Sequence, residues 1–399
     1  MKIVSIVENV GDGAVKGRWE LMPSGRARPS SGIAVGVLAT SVLVAGAALP
    51  AQAASLKIVH PGESVQQAVD RAHPGDTILL LPGTYRGSVL VSVSGVTIRG
   101  MGSATVITPA DDAGHATGAG PASRAAQATG GGDPVGGDCT APGHGICVHG
   151  TAGHRVTDVV IESLTVSGFP KNGVSGSETD RMTVRDVLVE DNGEEGISQE
   201  KSTRGLLVGN RARGNGQAGV FVTNIAYGEG GAIDTAGTVI IGNKLTGNRF
   251  GAVLRRARNL ALEGNVITGN CSGVFVVGDE GIPRGGALTV RDNLVTANNK
   301  YCASDGRLPY LQGIGIVLTG VEDTVVTRNV IAGNVGASPM SGGVVLFRSF
   351  RGGPDTGNTI TGNVATGNKP ADMADRDGGP RNTFSRNVCH TFEPAGRLC

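Results

Sequence analysis

Arg249–Asn270 reads RFGAVLRRARNLALEGNVITGN, and its pattern returns along most of the chain. The unit is a Gly followed by alternating apolar residues (Ala252, Leu254), a polar turn, a second run (Leu260, Leu262), Gly-Asn, a third short run (Val266, Thr268) and Gly-Asn again. Asn or Asp pairs five positions apart mark the units: Asp186/Asp191, Asn210/Asn215, Asn243/Asn248, Asn265/Asn270, Asn293/Asn298, Asn329/Asn334 and Asn363/Asn368. Successive pairs lie 24, 33, 22, 28, 36 and 34 residues apart, a basic period with insertions, which is a solenoid signature. Three runs per unit, with period 2 and no helical period, predict an all-β parallel β-helix whose coils stack ~4.8 Å apart with apolar side chains inside. The Asn side chain bonds to backbone groups, tolerates left-handed backbone at a corner and stacks on the Asn of the next coil. One coil cannot bury its apolar face alone, so stability comes from its neighbours.

The 399 residues include 66 Gly, 3% aromatic and 17% charged residues, with a formal net charge of +1. So small a charge gives no electrostatic reason to expect a nucleic-acid partner. An apolar fraction of 39% supports a core, and the Gly falls at turns, so the chain reads as one elongated domain and a monomer.

Ile33–Leu49 is apolar, follows Arg26 and Arg28, and is followed by Ala51-Gln52-Ala53, a small-x-small cleavage pattern. Residues 1–53 are therefore expected to be leader and signal peptide, leaving a secreted, extracellular domain at 54–399 with no stable membrane span. Residues 1–21 carry three acids and the only Trp, so Met22 is the expected true start.

Ser64-Val-Gln-Gln67 has the form of a capping box, and Val65, Ala68, Val69 and Ala72 form one stripe, so a short helix is expected to cap the open end of the solenoid. Thr77–Leu81, the turn Pro82–Tyr85, Ser88–Ser92 and Val96–Arg99 follow as the first coils. GDTILLLPGTYRGSVLV (from Gly75) and VTIRG (from Val96) resemble the opening of many members of the pectin-lyase-like superfamily, and the later repeats resemble those of its NosD-type branch. The resemblance covers roughly 57–390 and implies a right-handed parallel β-helix; activity does not follow from such a fold.

A Gly/Ala-rich insertion at 109–143 interrupts the repeats and is expected to be flexible, and shorter ones at Ile225–Gly237, Asp279–Gly286, Lys300–Leu311 and Ser349–Gly357 are expected to project as loops. Six cysteines in an exported chain predict three disulfides out of 15 connectivities. Cys271 and Cys302 both fall near one corner of adjacent coils; the expected pairs are Cys139–Cys147, Cys271–Cys302 and Cys389–Cys399. Zinc is the alternative, but no CxxC spacing is present.

In this superfamily, the resemblance implies, ligands lie along the outer face of the strand before the polar turn, here the Gly-led strand. With residues one and three past the Gly inside, residues two and four face out: Cys147/His149, Ser175/Ser177, Ser198/Glu200, Phe221/Thr223, Val253/Arg255 and Phe275/Val277. His149, Glu200 and Arg255 then share a strip at two-coil intervals, roughly 10 Å, near Lys201, Asn224, Tyr227 and Glu229. An acid, a His and an Arg beside exposed Phe221 and Phe275 can hold a sugar and move a proton. Glu200, His149 and Arg255 are thus candidate catalytic residues, and Arg256, Lys201, Phe221, Asn224 and Tyr227 candidate substrate-binding residues. The plain alternative is that an exposed strand carries charge for solvation.

Pectate lyases hold calcium between carboxylates on neighbouring coils, so calcium is the cofactor the resemblance allows; here Glu200, with Glu194 and Glu195, forms no acidic ladder. Gly143-His144-Gly145 matches the GHG motif of polygalacturonases without their NTD or RIK companions, and the DPH signature of uronate epimerases is absent. The His144/His149/His154 series has no metal-site spacing. Three readings remain: an enzyme acting on an extended, acidic polysaccharide (lyase, hydrolase or epimerase), a non-catalytic carbohydrate or cell-wall binding protein, and a NosD-type metal-handling accessory protein, the last without Met or Cys ligand clusters.

Overall fold

The computed structural model describes residues 54–110, 139–226, 230–278, 281–396 and Cys399, all within one compact unit, Gln52–Cys399. The leader, Met22, Tyr227, Glu229 and most of the 109–143 insertion lie outside the described residues.

The chain winds through three parallel sheets. Each coil gives a Gly-led strand to sheet 1 (11 strands, such as Phe250–Arg255), the next to sheet 2 (12 strands, such as Ala257–Glu263) and a short one to sheet 3 (10 strands, such as Val266–Thr268). Registers are parallel in all three: Ala252↔Val274, Leu260↔Leu288 and Ile267↔Val295. The period-2 alternation puts Ala252, Leu262 and Ile267 in one continuous core that runs from Val59 to Met373. At the N-terminal end Ser64 Oγ accepts the Gln67 N–H and starts the helix Val65–Asp70, whose Val65 and Val69 close the core as expected. Pro82–Tyr85 is not a turn: Gly83–Arg86 is a strand of sheet 3, fixed because the buried Tyr85 hydroxyl donates to the Val59 and Leu81 carbonyls.

Two Asn ladders run through the corners on either side of sheet 3, one through Asn210, Asn243, Asn265, Asn293, Asn329 and Asn363, the other through Asn192, Asn215, Asn248, Asn270, Asn298, Asn334 and Asn368. Asn265 Oδ1 accepts both the backbone and the Nδ2 N–H of Asn243 at 2.9 Å, while its Nδ2 donates to Ile240 O and Asn293 Oδ1, also at 2.9 Å. Asn265 is 1% exposed, so these bonds satisfy backbone N–H groups that a turn would otherwise bury unpaired. The left-handed residue is the one before the ladder Asn, not the Asn itself: Gly264 has φ 62°, and Asp292 and Arg328 take the same conformation at φ 57° and 55°. Asp186 and Asp191, both at φ 54°, therefore stand in the Gly position, and Val187 and Asn192 in the ladder position, where their N–H groups donate to Asn210 and Asn215 Oδ1.

The six cysteines pair as expected, with Cα–Cα distances of 5.5 Å (Cys139–Cys147), 6.0 Å (Cys271–Cys302) and 5.9 Å (Cys389–Cys399). The insertions follow a rule. Segments 224–232, 278–285 and 347–358 leave the C-terminal ends of sheet 1 strands, and 299–313 and 333–341 enter their N-terminal ends. Sheet 1 is thus bordered by loops on both edges. Among the described residues no helix is long and apolar enough to cross a membrane.

Candidate functional site

Parallel in-register strands turn each outward position of sheet 1 into a row. One row is His149, Ser177, Glu200, Thr223, Arg255, Val277 and Thr319, so His149, Glu200 and Arg255 do stand two coils apart, as their spacing predicts. The middle row is Cys147, Ser175, Ser198, Phe221, Val253, Phe275 and Val317. A third, formed by the residue before each strand Gly, places Asn172 and Glu195 beside Ala218 and Phe250.

These rows differ sharply between their two ends. At the N-terminal coils they carry a hydrogen-bonded polar cluster: Asn172 Nδ2 donates to Ser175 Oγ (2.9 Å) and Ser198 Oγ (3.0 Å), the two hydroxyls lie 2.7 Å apart, and Asn172 Oδ1 accepts the Glu195 N–H at 3.1 Å. The Cys139–Cys147 disulfide sits on the same row, Cys139 Sγ lying 3.8 Å from Ser175 O. Beyond Phe221 the rows become a second apolar core: Phe250, Val253, Phe275, Val317 and Val345 pack with Leu311 and Met340 from the entering loops. Phe275, read from its outward register as exposed, is 4% exposed, because Phe250 meets it edge-on at 5.3 Å and the 299–313 loop covers it. Phe221, at the boundary, is half-buried.

The candidate residues are less open than an outward register implies. Glu200 is 8% exposed and its Oε1 accepts the Ala226 N–H at 3.2 Å. Arg255 Nη1 donates to the Ala226 carbonyl at 3.1 Å. Arg256, predicted to meet substrate, is 3% exposed, sits at φ 49° and donates to the Ile225 carbonyl at 3.0 Å; it braces the loop instead. Asn224 likewise donates to Gly231 O at 2.7 Å across the base of that loop. His149 and Lys201 are half-buried, Lys201 with left-handed backbone just past the strand Ile197–Glu200. Glu195 had no assigned role. Glu195 is half-buried; loss of water around its carboxyl, then the neighbouring Glu194 charge, push its pKa up to about 8.

The matches to known proteins fit this architecture. Residues 138–295 match the family profile of the right-handed β-helix region, and residues 224–390 that of the periplasmic copper-binding protein NosD. The chain is a right-handed parallel β-helix. This β-helix superposes on the A-module of Azotobacter vinelandii mannuronan C-5 epimerase AlgE4 with a TM-score of 0.50 and 17% identity, covering 84% of this chain and 94% of the other. For the AlgE6 A-module of the same organism the values are 0.51, 18%, 82% and 90%. Likeness at that identity establishes the fold. No curated protein matches the sequence significantly.

Among the described residues no three His, Cys, Asp or Glu side chains converge on one point, and no copper or calcium site is assigned to them. What the outward register leaves out is the row before the strand Gly, polar at His144, Asn172 and Glu195 and then Ala218, Phe250, Ser272 and Ile314, with Ser272 the one polar member of that second half. Reading that row beside the other two marks the N-terminal coils as the polar half.

Proposed function

We propose that this is a secreted protein that binds an extended, acidic polysaccharide along the outer face of sheet 1 and acts on it by lyase, hydrolase or epimerase chemistry at the N-terminal coils. The observation that carries the reading is the polar cluster of Asn172, Ser175 and Ser198, flanked by Glu195, Glu200 and His149 on three consecutive coils between loop-bearing edges. A repeat every ~4.8 Å offers a linear polymer equivalent contacts along the axis. Glu195, whose N–H bonds Asn172 Oδ1 and whose carboxyl is pushed to hold its proton, is the candidate acid at the cluster, while Glu200 and His149 stand at the other ends of their strands. The structural neighbours named above act on mannuronan, an acidic chain, which favours that substrate class. Arg255 stands on the same row, where a guanidinium can pair with a carboxylate laid there.

The described carboxylates gather no calcium or copper site, so no step is assigned to a metal. A non-catalytic binder is the second reading, because Glu200 and Arg255 both engage the Ala226 backbone. Incubation with alginate, polygalacturonate and neutral glycans, with and without calcium, separates the two readings; ultraviolet absorbance reports unsaturated ends, a reducing-sugar assay hydrolysis, and proton NMR epimer ratio. On the enzymatic reading, Glu195→Gln or Glu200→Gln lowers turnover by about 10²–10⁴-fold while binding persists. Binding without turnover by the wild type on every glycan leaves only the binder, and no binding at all removes both.

A further inference from the structure

In a chain with few aromatic residues, two aromatic pairs reach the surface, Phe347–Phe350 and Tyr301–Tyr310, and the second stands on a loop tied down at several points. Tyr301 is 62% exposed and stacks on Tyr310 with ring centroids 5.6 Å apart and planes at 28°, both in the loop Asn299–Gly313 that enters sheet 1. The loop beneath them is rigid. Cys302 is tied to Cys271, the Cys302 and Leu311 N–H groups exchange bonds with each other's carbonyls at 3.0 and 2.9 Å, and Leu311 is wholly buried. Arg249 Nη1 holds Ala303 O at 3.2 Å, Lys300 Nζ holds Gly247 O at 2.7 Å, and the Tyr310 hydroxyl donates to Ala337 O. Arg307, exposed in the same loop, makes no ion pair with a described residue. Nothing in the packing explains this arrangement, since an exposed aromatic face held in place gains no burial from it.

We propose that Tyr301, backed by Tyr310, is an outlying subsite for one pyranose ring of an acidic glycan, the apolar ring face resting on Tyr301, while Arg307, exposed in the same loop, attracts the carboxylates of the chain. This rests on the reading of sheet 1 as the glycan track. The loop enters sheet 1 at the N-terminal ends of its strands, the edge that carries Asn172 and Glu195, so a chain laid along that edge reaches it at the Ile314 strand, four coils beyond Glu195, or ~19 Å. Only oligomers long enough to span that distance engage both places. A preorganised aromatic and an Arg are the side chains most often found to dominate a contact surface.

The test is isothermal titration of the wild type, Tyr301→Ala, Tyr301→Phe and Arg307→Ala with oligomannuronates and oligogalacturonates from dimer to decamer. Expected is a loss of about five- to tenfold for Tyr301→Ala with the long oligomers, none with the dimers, retention in Tyr301→Phe, and a salt-sensitive loss for Arg307→Ala. If the wild type binds the long oligomers and Tyr301→Ala binds them equally, the subsite is wrong and the track stands. If the wild type binds none, both are wrong.

Discussion

The two ends of sheet 1 share an interior and differ outside. Val174 and Val274 face the same core, and Asn215 and Asn298 carry the same ladder, yet outward of them one half packs a hydrogen-bonded polar cluster around Ser175 and Ser198 and the other an apolar layer of Val253, Phe275 and Val317 under loops. The lesson is that inner rows build the solenoid and outer rows divide it, so a substitution's effect depends on which row it touches more than on which coil.

Phe275→Ala tests the covered half most directly. The ring fills a closed space between Phe250 and the 299–313 loop, and its loss is expected to cost about 3–4 kcal/mol, read as a lower urea midpoint at unchanged slope. A cost below about 1 kcal/mol would mean that the loop does not cover it. Asn→Leu at Asn215 and at Asn298, one under each half, should each cost about 2–3 kcal/mol, because each orphans ladder N–H groups. Clearly unequal costs would break the claim of a common interior. Cys271→Ser unties the covering loop and should cost about 2–3 kcal/mol, with Cys302 the sole new thiol found by alkylation and peptide mapping. A new thiol elsewhere would overturn the pairing.

Next is acid–base behaviour. Asp355 is fully buried, accepts the Val321 N–H at 2.7 Å, and is pushed by burial, with Asp377 adding to it, up to about 8. A carboxyl whose folded pKa lies above its unfolded value holds its proton longer when folded, so stability falls as pH rises from ~4 towards 8. Glu195 acts in the same direction from the polar half. Asp355→Asn keeps the accepting oxygen without the charge and should flatten that decline by about 1–3 kcal/mol at pH 8, seen in melting temperatures across pH; an unchanged profile would deny the buried proton. On the acid side the sign reverses. Asp158, Asp180 and Asp292, held low mainly by hydrogen bonds from Arg181, Arg204 and Arg328, lose their contribution as pH falls through their lowered values. The smallest effect expected is at Gln199, whose amide faces the core with neither polar atom bonded; Gln199→Leu should gain about 1 kcal/mol.

The sequence carried the period, the inward register and the disulfide pairs because each follows from spacing along one strand or one corner. Glu200 and Arg255 were placed on the right row for that reason. Their engagement with the Ala226 backbone was not legible, since it depends on where a loop of another coil returns. The same holds for Phe275, outward in register and covered by Leu311 and its neighbours from 299–313. The Asp186/Asp191 offset has a local cause: Asp shares with Asn a tolerance of left-handed backbone, so counting the two as equivalent shifts that coil by one residue. Glu195 could have been found from the block of polar residues, His144, Asn172 and Glu195, just before successive strand Gly residues.

From Ser163 onward, every corner between sheets 2 and 3 is two residues long, Ser163-Leu164 through Gly362-Asn363, each opening on a left-handed residue, while the other two corners range from one residue to more than a dozen. That invariance gives the chain a fixed spine and two variable margins. A margin can lengthen without disturbing the spine, so added chain falls beside sheet 1, where both margins meet, and leaves the opposite wall unchanged.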